Sequence, residues 1–411
     1  HDYLGQGGAF VGVLDAFWDN KGYVQPKEFR QFCDETVLLL RIGRRIYTQT
    51  ETLYAEAEMS HFGREALEGA EVRWQLLNQK QEVMREGSFG TKDYNLAKNQ
   101  RVGTLDLSFE GLAVPECYTI RLILDKKENN KKKVVENSWR IWLYEQHIEL
   151  PKLERAVYTR DLLEALQALD QGRKVVYSPY LSMLDLSCPY LNGKPSFWNS
   201  QMGPRWSRGM GLLCRASHPA LRYFPTEEFQ EYQWNEILRD AKGINLKNLP
   251  AALMPIVQPI DEWNRNYRMG LVVEAKVGEG SLLLITADLE KDQESHPAKR
   301  QLLKSLLLYA DSSEFCPECE VSREALLTSF ADTQVMKRLN VSGRLLEDLE
   351  ADVSAVLDGN PNTTFFAERK HPYTLELMWE KPEVLTGLIY MPVQNQREHK
   401  GDVRGYEVWG L

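Results

Sequence analysis

The sequence predicts a multidomain chain of mixed α and β structure: a short helical opening, an all-β segment, an α/β segment and a second β segment. Three observations lead there. Apolar and polar residues alternate with period 2 from 36 to 148, strand and helix patterns alternate from 150 to 312, and short strand patterns return from 313 to 411. At roughly 100–200 residues per domain, 411 residues suit about two to four domains, each long enough for its own core.

Residues 1–35 open with a Gly-rich turn from Gly5 to Gly8. The apolar stretch from Phe10 to Trp18 predicts a helix. Pro26, whose fixed φ suits a first helical turn, predicts a second helix running through Phe29 and Phe32. Two helices of this kind cannot bury their apolar faces alone, so they are expected to be the tail of a larger domain.

In the next segment, strands are expected at 52–59, 70–76, 103–109, 117–124 and 134–144. Turn residues recur about every ten positions between them, the pattern of a β-sandwich. The basic run from Lys126 to Lys133 lies between two of these strands. It reads as a solvated hairpin tip rather than a polyanion patch, because charge at tips is the common case.

The α/β segment begins with a strand at 154–158 and an amphipathic helix at 161–169 closed by Gly172. A strand at 174–177 follows, with later strands at 270–275 and 281–285 and a helix at 297–309. This rhythm implies a mostly parallel sheet with helices on both faces. The last segment is read as strands at 373–377, 385–390 and 405–409. The final strand ends two residues before the chain does, so a truncated domain is expected.

Composition narrows the function classes. Apolar residues make up 43% and charged residues 27%, which excludes a mostly disordered chain. The net charge of −9 argues against non-specific nucleic-acid binding, which relies on Lys and Arg meeting phosphates. No apolar run approaches the ~20 residues of a membrane helix, so no membrane span is expected. Six cysteines in 411 residues imply no disulfide framework. The chain starts at His1 with no charged-then-apolar leader, so it is expected to be cut from something longer.

Four groupings could carry chemistry. Cys316-Pro317-Glu318-Cys319 is a single CxxC without the second pair a zinc site needs, and it reads as structural or incidental rather than metal or redox. Cys214 with His218 invites a Cys–His nucleophile reading. Cys214 is flanked by Leu213 and Arg215 rather than by the glycines of a sharp elbow, and His218-Pro219 reads better as a turn. Glycoside hydrolysis needs two carboxylates across the scissile bond, and composition selects no pair among 59 acids. The Asn235-Glu236 dipeptide falls in a helical pattern, where Glu236 reads as an exposed helix carboxylate. The loop at 357–364 is rich in oxygen ligands, Asp358, Asn360, Asn362 and Thr363. It is either a Ca²⁺ loop or, as spacing alone favours, a plain Asx-type turn.

Several of these segments together resemble a known assembly. The stretch 5–22, with Gly5-Gln6-Gly7 followed by Val11-Gly12-Val13-Leu14-Asp15, and Phe29 to Cys33 after it, is similar to the end of the catalytic barrel in bacterial glycoside hydrolase family 2 enzymes of the β-galactosidase type. Gly8 stands where Thr is usual. Residues 36–149 then resemble the immunoglobulin-like domain that follows such barrels. Residues 150–312 resemble a glutamine-amidotransferase-like domain, on Pro195 to Trp198, Gly209 to Leu213, His218 to Leu221, Phe224 to Thr226, Gln233-Trp234, Gly278 to Gly280 and Gln301 to Leu306. The nucleophile elbow of that domain is not recognisable. Residues 313–411 resemble part of a discoidin-type galactose-binding module, on the loop 357–364, on Thr386 to Pro392 and on Gly401 to Val408; Phe365 stands where that family has Trp.

The resemblance implies the non-catalytic C-terminal portion of a secreted, periplasmic or extracellular glycoside hydrolase. In that family the two catalytic glutamates lie on barrel strands that would precede His1, so no catalytic residue is carried over. The implied partners are the upstream barrel and carbohydrate. The implied cofactor is a Ca²⁺ ion at Asp358, Asn360 and Thr363, held weakly because the loop offers only part of its shell. Two other classes stay open: an active amidotransferase or hydrolase in the α/β segment, and an interaction scaffold without ligand.

Overall fold

A computed structural model describes residues 12–15, 17–128, 131–185, 187–192, 209–262, 265–330, 342–347, 353, 373–378 and 407. The chain divides into two compact units, His1–Ile148 and Glu149–Leu411. The described structure is mostly strand.

The first unit opens with the helix α1, Pro26–Arg30, with Pro26 in its first turn and Glu28 accepting from the backbone N–H of Gln25. The helix expected from Phe10 to Trp18 is not formed among its described residues. Leu14 bridges Asn20 instead, and the Asp15 carboxylate accepts from the backbone N–H groups of Phe17 and Asp19. A short acidic side chain here captures the donors that a helix would use.

Eight strands follow: β1 Thr36–Arg41, β2 Ile46–Thr48, β3 Thr52–His61, β4 Leu67–Leu77, β5 Val83–Tyr94, β6 Ala97–Ser108, β7 Glu116–Glu128 and β8 Lys131–Tyr144. They form two sheets, ordered β1-β3-β6 and β2-β8-β7-β4-β5. The expected β-sandwich is therefore present. Its core is built by alternation. Leu53, Ala55, Ala57 and Met59 of β3 point inward against Ile120, Leu122 and Leu124 of β7 and Ile141 and Leu143 of β8. Asn137 of β8 ties the sheets together by donating its side-chain N–H to the Leu38 carbonyl of β1, at 2.8 Å. The β7–β8 ladder runs on to the pair Glu128↔Lys131, which puts the basic run at the end of a hairpin.

The second unit begins with β9 Ala156–Thr159, α2 Leu162–Asp170 and β10 Lys174–Tyr177. Asp161 caps α2 by accepting from Glu164 N–H, and Gly172 closes it with φ +72°. Then come β11 Gly211–Cys214, α3 Trp234–Arg239, β12 Ile244–Asn245, β13 Val257–Ile260, β14 Met269–Gly270, β15 Val272–Val277, β16 Gly280–Ile285 and α4 Pro297–Asp311. The main sheet is ordered β11-β13-β15-β16-β10-β9.

The expectation of a mostly parallel sheet needs correction. β9–β10 and β10–β16 are parallel, but β15–β16, β13–β15 and β11–β13 are antiparallel. The cause is local: Val277 pairs directly with Gly280, so Gly278, at φ +59°, and Glu279 form a two-residue hairpin turn in place of a crossover. Helices do cover both faces. Val175, Tyr177, Leu282 and Leu284 pack with Leu162, Ala165, Leu166 and Leu169 of α2. Glu274, which points the other way from Val273 and Ala275, is reached by Tyr309 of α4.

The α/β unit continues past residue 312. Val321, Leu326 of α5 (Arg323–Leu327) and Phe330 join the core under α2, and Glu320 bridges Lys276 of β15. At the end of α4 the Asp311 carboxylate accepts from the backbone N–H groups of Glu154, Arg155 and Ala156 at 2.7–3.1 Å, holding the lead-in to β9. Farther on, β17 Ser342–Leu345 and β18 Leu375–Met378 form an antiparallel pair. The strands expected at 385–390 and 405–409 lie outside the described residues, apart from Glu407. No described helix is long and apolar enough to cross a membrane.

Candidate functional site

The α4 face of the sheet gathers the residues most like catalytic machinery. Cys214 ends β11 and is buried. Burial pushes its thiol up to about 12, against a smaller opposing effect of the Thr226 hydroxyl. At neutral pH the group is held as the thiol rather than the thiolate, the form that attacks.

His218 does not serve Cys214. It caps the turn Pro219–Leu221, its Nδ1 accepting the Ala220 N–H at 3.3 Å. An accepting Nδ1 is unprotonated, so the ring proton sits on Nε2, which lies 3.4 Å from Glu274 Oε1. Tyr309 donates its hydroxyl to Glu274 Oε2 at 2.6 Å and packs edge-on against the imidazole. Burial opposes the charge on Glu274. Hydrogen bonds from His218 and Tyr309 outweigh it and hold the carboxyl below its usual range. A catalytic triad also pairs an imidazole with a carboxylate, but there the carboxylate holds Nδ1 and Nε2 meets the nucleophile; here the two nitrogens are exchanged and Nδ1 is taken by a backbone amide. As it stands, the cluster ties β15, the 219–221 turn and α4 together.

A second ionic group lies at the N-terminal end of α4. Lys299, fully buried, is bound by Asp240 at 2.6 Å and by the Lys291 carbonyl at 3.1 Å. Lys291 reaches the other Asp240 oxygen at 2.7 Å. Burial alone would raise the Asp240 carboxyl, but the two lysines hold it below its usual range. Glu236, expected as an exposed helix carboxylate, is instead largely buried, 3.4 Å from His296 Nδ1. Burial pushes its carboxyl up, and its Oε2 has no partner.

Glu274 and Tyr309 were invisible as a pair in the sequence. In an alternating strand a Glu reads as solvent-facing, and only knowledge that helices cover both faces turns it inward. The CxxC thiols are both free, Cys316 exposed and Cys319 half-buried, and the Cys319 carbonyl accepts from Lys276 N–H. Among the described residues no group of three His, Cys, Asp or Glu is placed to hold a metal. Asp358, Asn360, Asn362 and Thr363 lie outside the described residues. A cavity of about 10 Å³ lies between Leu191, Leu212, Gln230 and Pro259, room for one water.

Comparison with known proteins adds the following. No curated protein matches the chain. Structural neighbours include a β-glucuronidase of Parabacteroides merdae, 14% identical over 35% of this chain and 21% of that one, with a TM-score of 0.20. A β-glucuronidase of Bacteroides uniformis is 10% identical over 35% and 20%, with a TM-score of 0.21. The chain thus spans about a fifth of the length of these enzymes. The CARDB domain of a Pyrococcus furiosus protein, crystallised with di-metal ions, is 13% identical over 28% of this chain and 98% of that one, with a TM-score of 0.20. No residue role is transferred from likenesses at this level. By sequence, residues 157–331 match the family model described as Domain of unknown function (DUF8487), and residues 51–145 match that described as Domain of unknown function (DUF8488).

Proposed function

We propose that this chain is a non-catalytic accessory region of a longer carbohydrate-processing enzyme, a glycoside hydrolase of the β-galactosidase type. On this reading the sandwich is the immunoglobulin-like domain beside a catalytic barrel. The α/β unit is an amidotransferase-like domain that lacks its nucleophile. The last segment is a discoidin-type module with a weak Ca²⁺ loop at Asp358, Asn360 and Thr363. The parent enzyme works in the periplasm or outside the cell, and this region supports the barrel and contacts carbohydrate.

The observation that carries the non-catalytic part is the separation of Cys214 from His218: a buried, unreactive thiol, and an imidazole committed to Glu274 and to a backbone amide. The carbohydrate part is supported by the sequence motifs at 5–22 and 357–364. The purified chain is expected to release no nitrophenol from nitrophenyl β-galactoside. Turnover that disappears when an acid within the chain is mutated would overturn the reading. Rapid, stoichiometric labelling of Cys214 by a glutamine-analogue inactivator would reinstate an active amidotransferase.

A further inference from the structure

The carboxyl ends of the parallel strands hold polar groups that neither the core nor the Cys214 region uses. β10 and β16 are parallel neighbours, yet the chain leaves them on opposite faces. After β10 it packs Leu184 and Cys188 into the core under α2. After β16 it runs to α4, on the other face. Adjacent strands whose connections diverge in this way leave a crevice at their carboxyl ends, the usual ligand position in open α/β sheets.

Arg160, just past β9, reaches this crevice. Its Nη1 lies 3.2 Å from Asp288 and 2.9 Å from Glu290, both just past β16. Its Nε and Nη2 are buried without a partner. The Tyr158 hydroxyl, two residues earlier and so on the same face, is buried beside Ser178 and Glu290 without a well-aligned hydrogen bond. Tyr180, just past β10, lies over the guanidinium at 4.1 Å, and the residue is 56% exposed. Orphaned donors of this kind need a partner that the described protein does not supply.

We propose that this crevice binds a neutral sugar unit. One guanidinium faces two carboxylates, so the net negative charge disfavours an anion, while the orphaned guanidinium N–H groups call for an acceptor that a simple cation does not offer. A hydroxyl both accepts from Arg160 and donates to the carboxylates. Turning the Tyr180 ring outward uncovers the donors and offers its face to the C–H side of a pyranose. The proposal rests on the carbohydrate-associated reading above and places the contact in the α/β unit rather than in the last segment.

Ligand-observed NMR on the full chain tests it, with methyl β-galactoside, methyl β-glucoside and galacturonate as probes. At least one neutral glycoside is expected to bind, and galacturonate to bind at least tenfold more weakly. Arg160→Gln and Tyr180→Ala should each cost tenfold or more in affinity. Because Tyr180 is exposed, Tyr180→Ala keeps the fold, which circular dichroism verifies. Glycoside binding untouched by Tyr180→Ala would overturn this site while leaving the carbohydrate reading in place. Binding of none of the three sugars would overturn both. Tighter binding of galacturonate would overturn the neutral-ligand assignment.

Discussion

The two units bury different chemistry. In the sandwich the described buried polar side chains are few: Thr36 and His61 share a hydrogen bond at 2.8 Å, Asn137 reaches across the sheets, and the Tyr94 hydroxyl and Trp142 Nε1 are buried without a partner. In the α/β unit Lys242, Asp261, Glu262 and Lys299 are all buried, and Glu236, Glu274 and Asp240 are nearly so. A core of alternating apolar residues draws its stability from area removed from water. A core laced with ion pairs depends on every partner staying in place and in its protonation state. The core of the sandwich therefore leans less on ionic partners than the core of the α/β unit does.

The largest test of this difference is Asp240→Ala. It leaves Lys299 buried with only a carbonyl partner, and removing one member of a buried pair costs about 3–5 kcal/mol. Urea unfolding should show the α/β transition moving to lower denaturant while the sandwich transition stays. Equal movement of both would break the contrast. Leu122→Ala is the counterpart in the sandwich, where the fully buried side chain leaves a cavity costing about 3 kcal/mol. That loss should be the same at every pH where the protein is folded.

Acid separates the units further. Asp240 and Glu274 are held below their usual range when folded, so the stability they contribute is present above the unfolded carboxylate range and is lost as pH falls through their folded values. Glu236 is raised, so it works the other way: its contribution is full at low pH and is lost as pH rises through its folded value. As pH falls through the folded values of Asp240 and Glu274 their contribution goes, and the α/β midpoint is expected to fall before the sandwich midpoint. Glu274→Gln should blunt that fall. The smallest expected effect is Ca²⁺ binding. Calorimetry should register weak heat or none, because six to eight oxygens are needed and the 357–364 loop provides only part of them. Tight binding abolished by Asp358→Ala would show a complete shell.

Much of this fold was legible and the site was not, for physical reasons. Strand β10 and the limits of α2 follow from a short apolar run, an Asp cap and a closing Gly. Strand β5 was missed because it is an edge strand exposed along most of its length, with no buried face to impose alternation. The helix read into 10–18 failed because apolar content was weighed above the capture of N–H groups by Asp15. The antiparallel half of the second sheet was available in Gly278-Glu279 as a hairpin signal, but the strand–helix rhythm around it masked it. Arg160 lies 130 residues from Glu290 in sequence, and Arg160, Asp288 and Glu290 each look like ordinary surface charges until parallel pairing brings the strand ends together.

The grip of Asp311 on the residues leading into β9 has a consequence for how the chain is made. The carboxylate and its Ala156 partner are 155 residues apart. At roughly 5–20 residues per second a ribosome needs on the order of ten to thirty seconds to deliver the second after the first. For most of that interval β9 and β10 have emerged without β16, the neighbour that later covers one side of β10. The nascent α/β unit must therefore wait with an open strand edge, while the sandwich, whose last strand ends at Tyr144, has its whole sequence in hand.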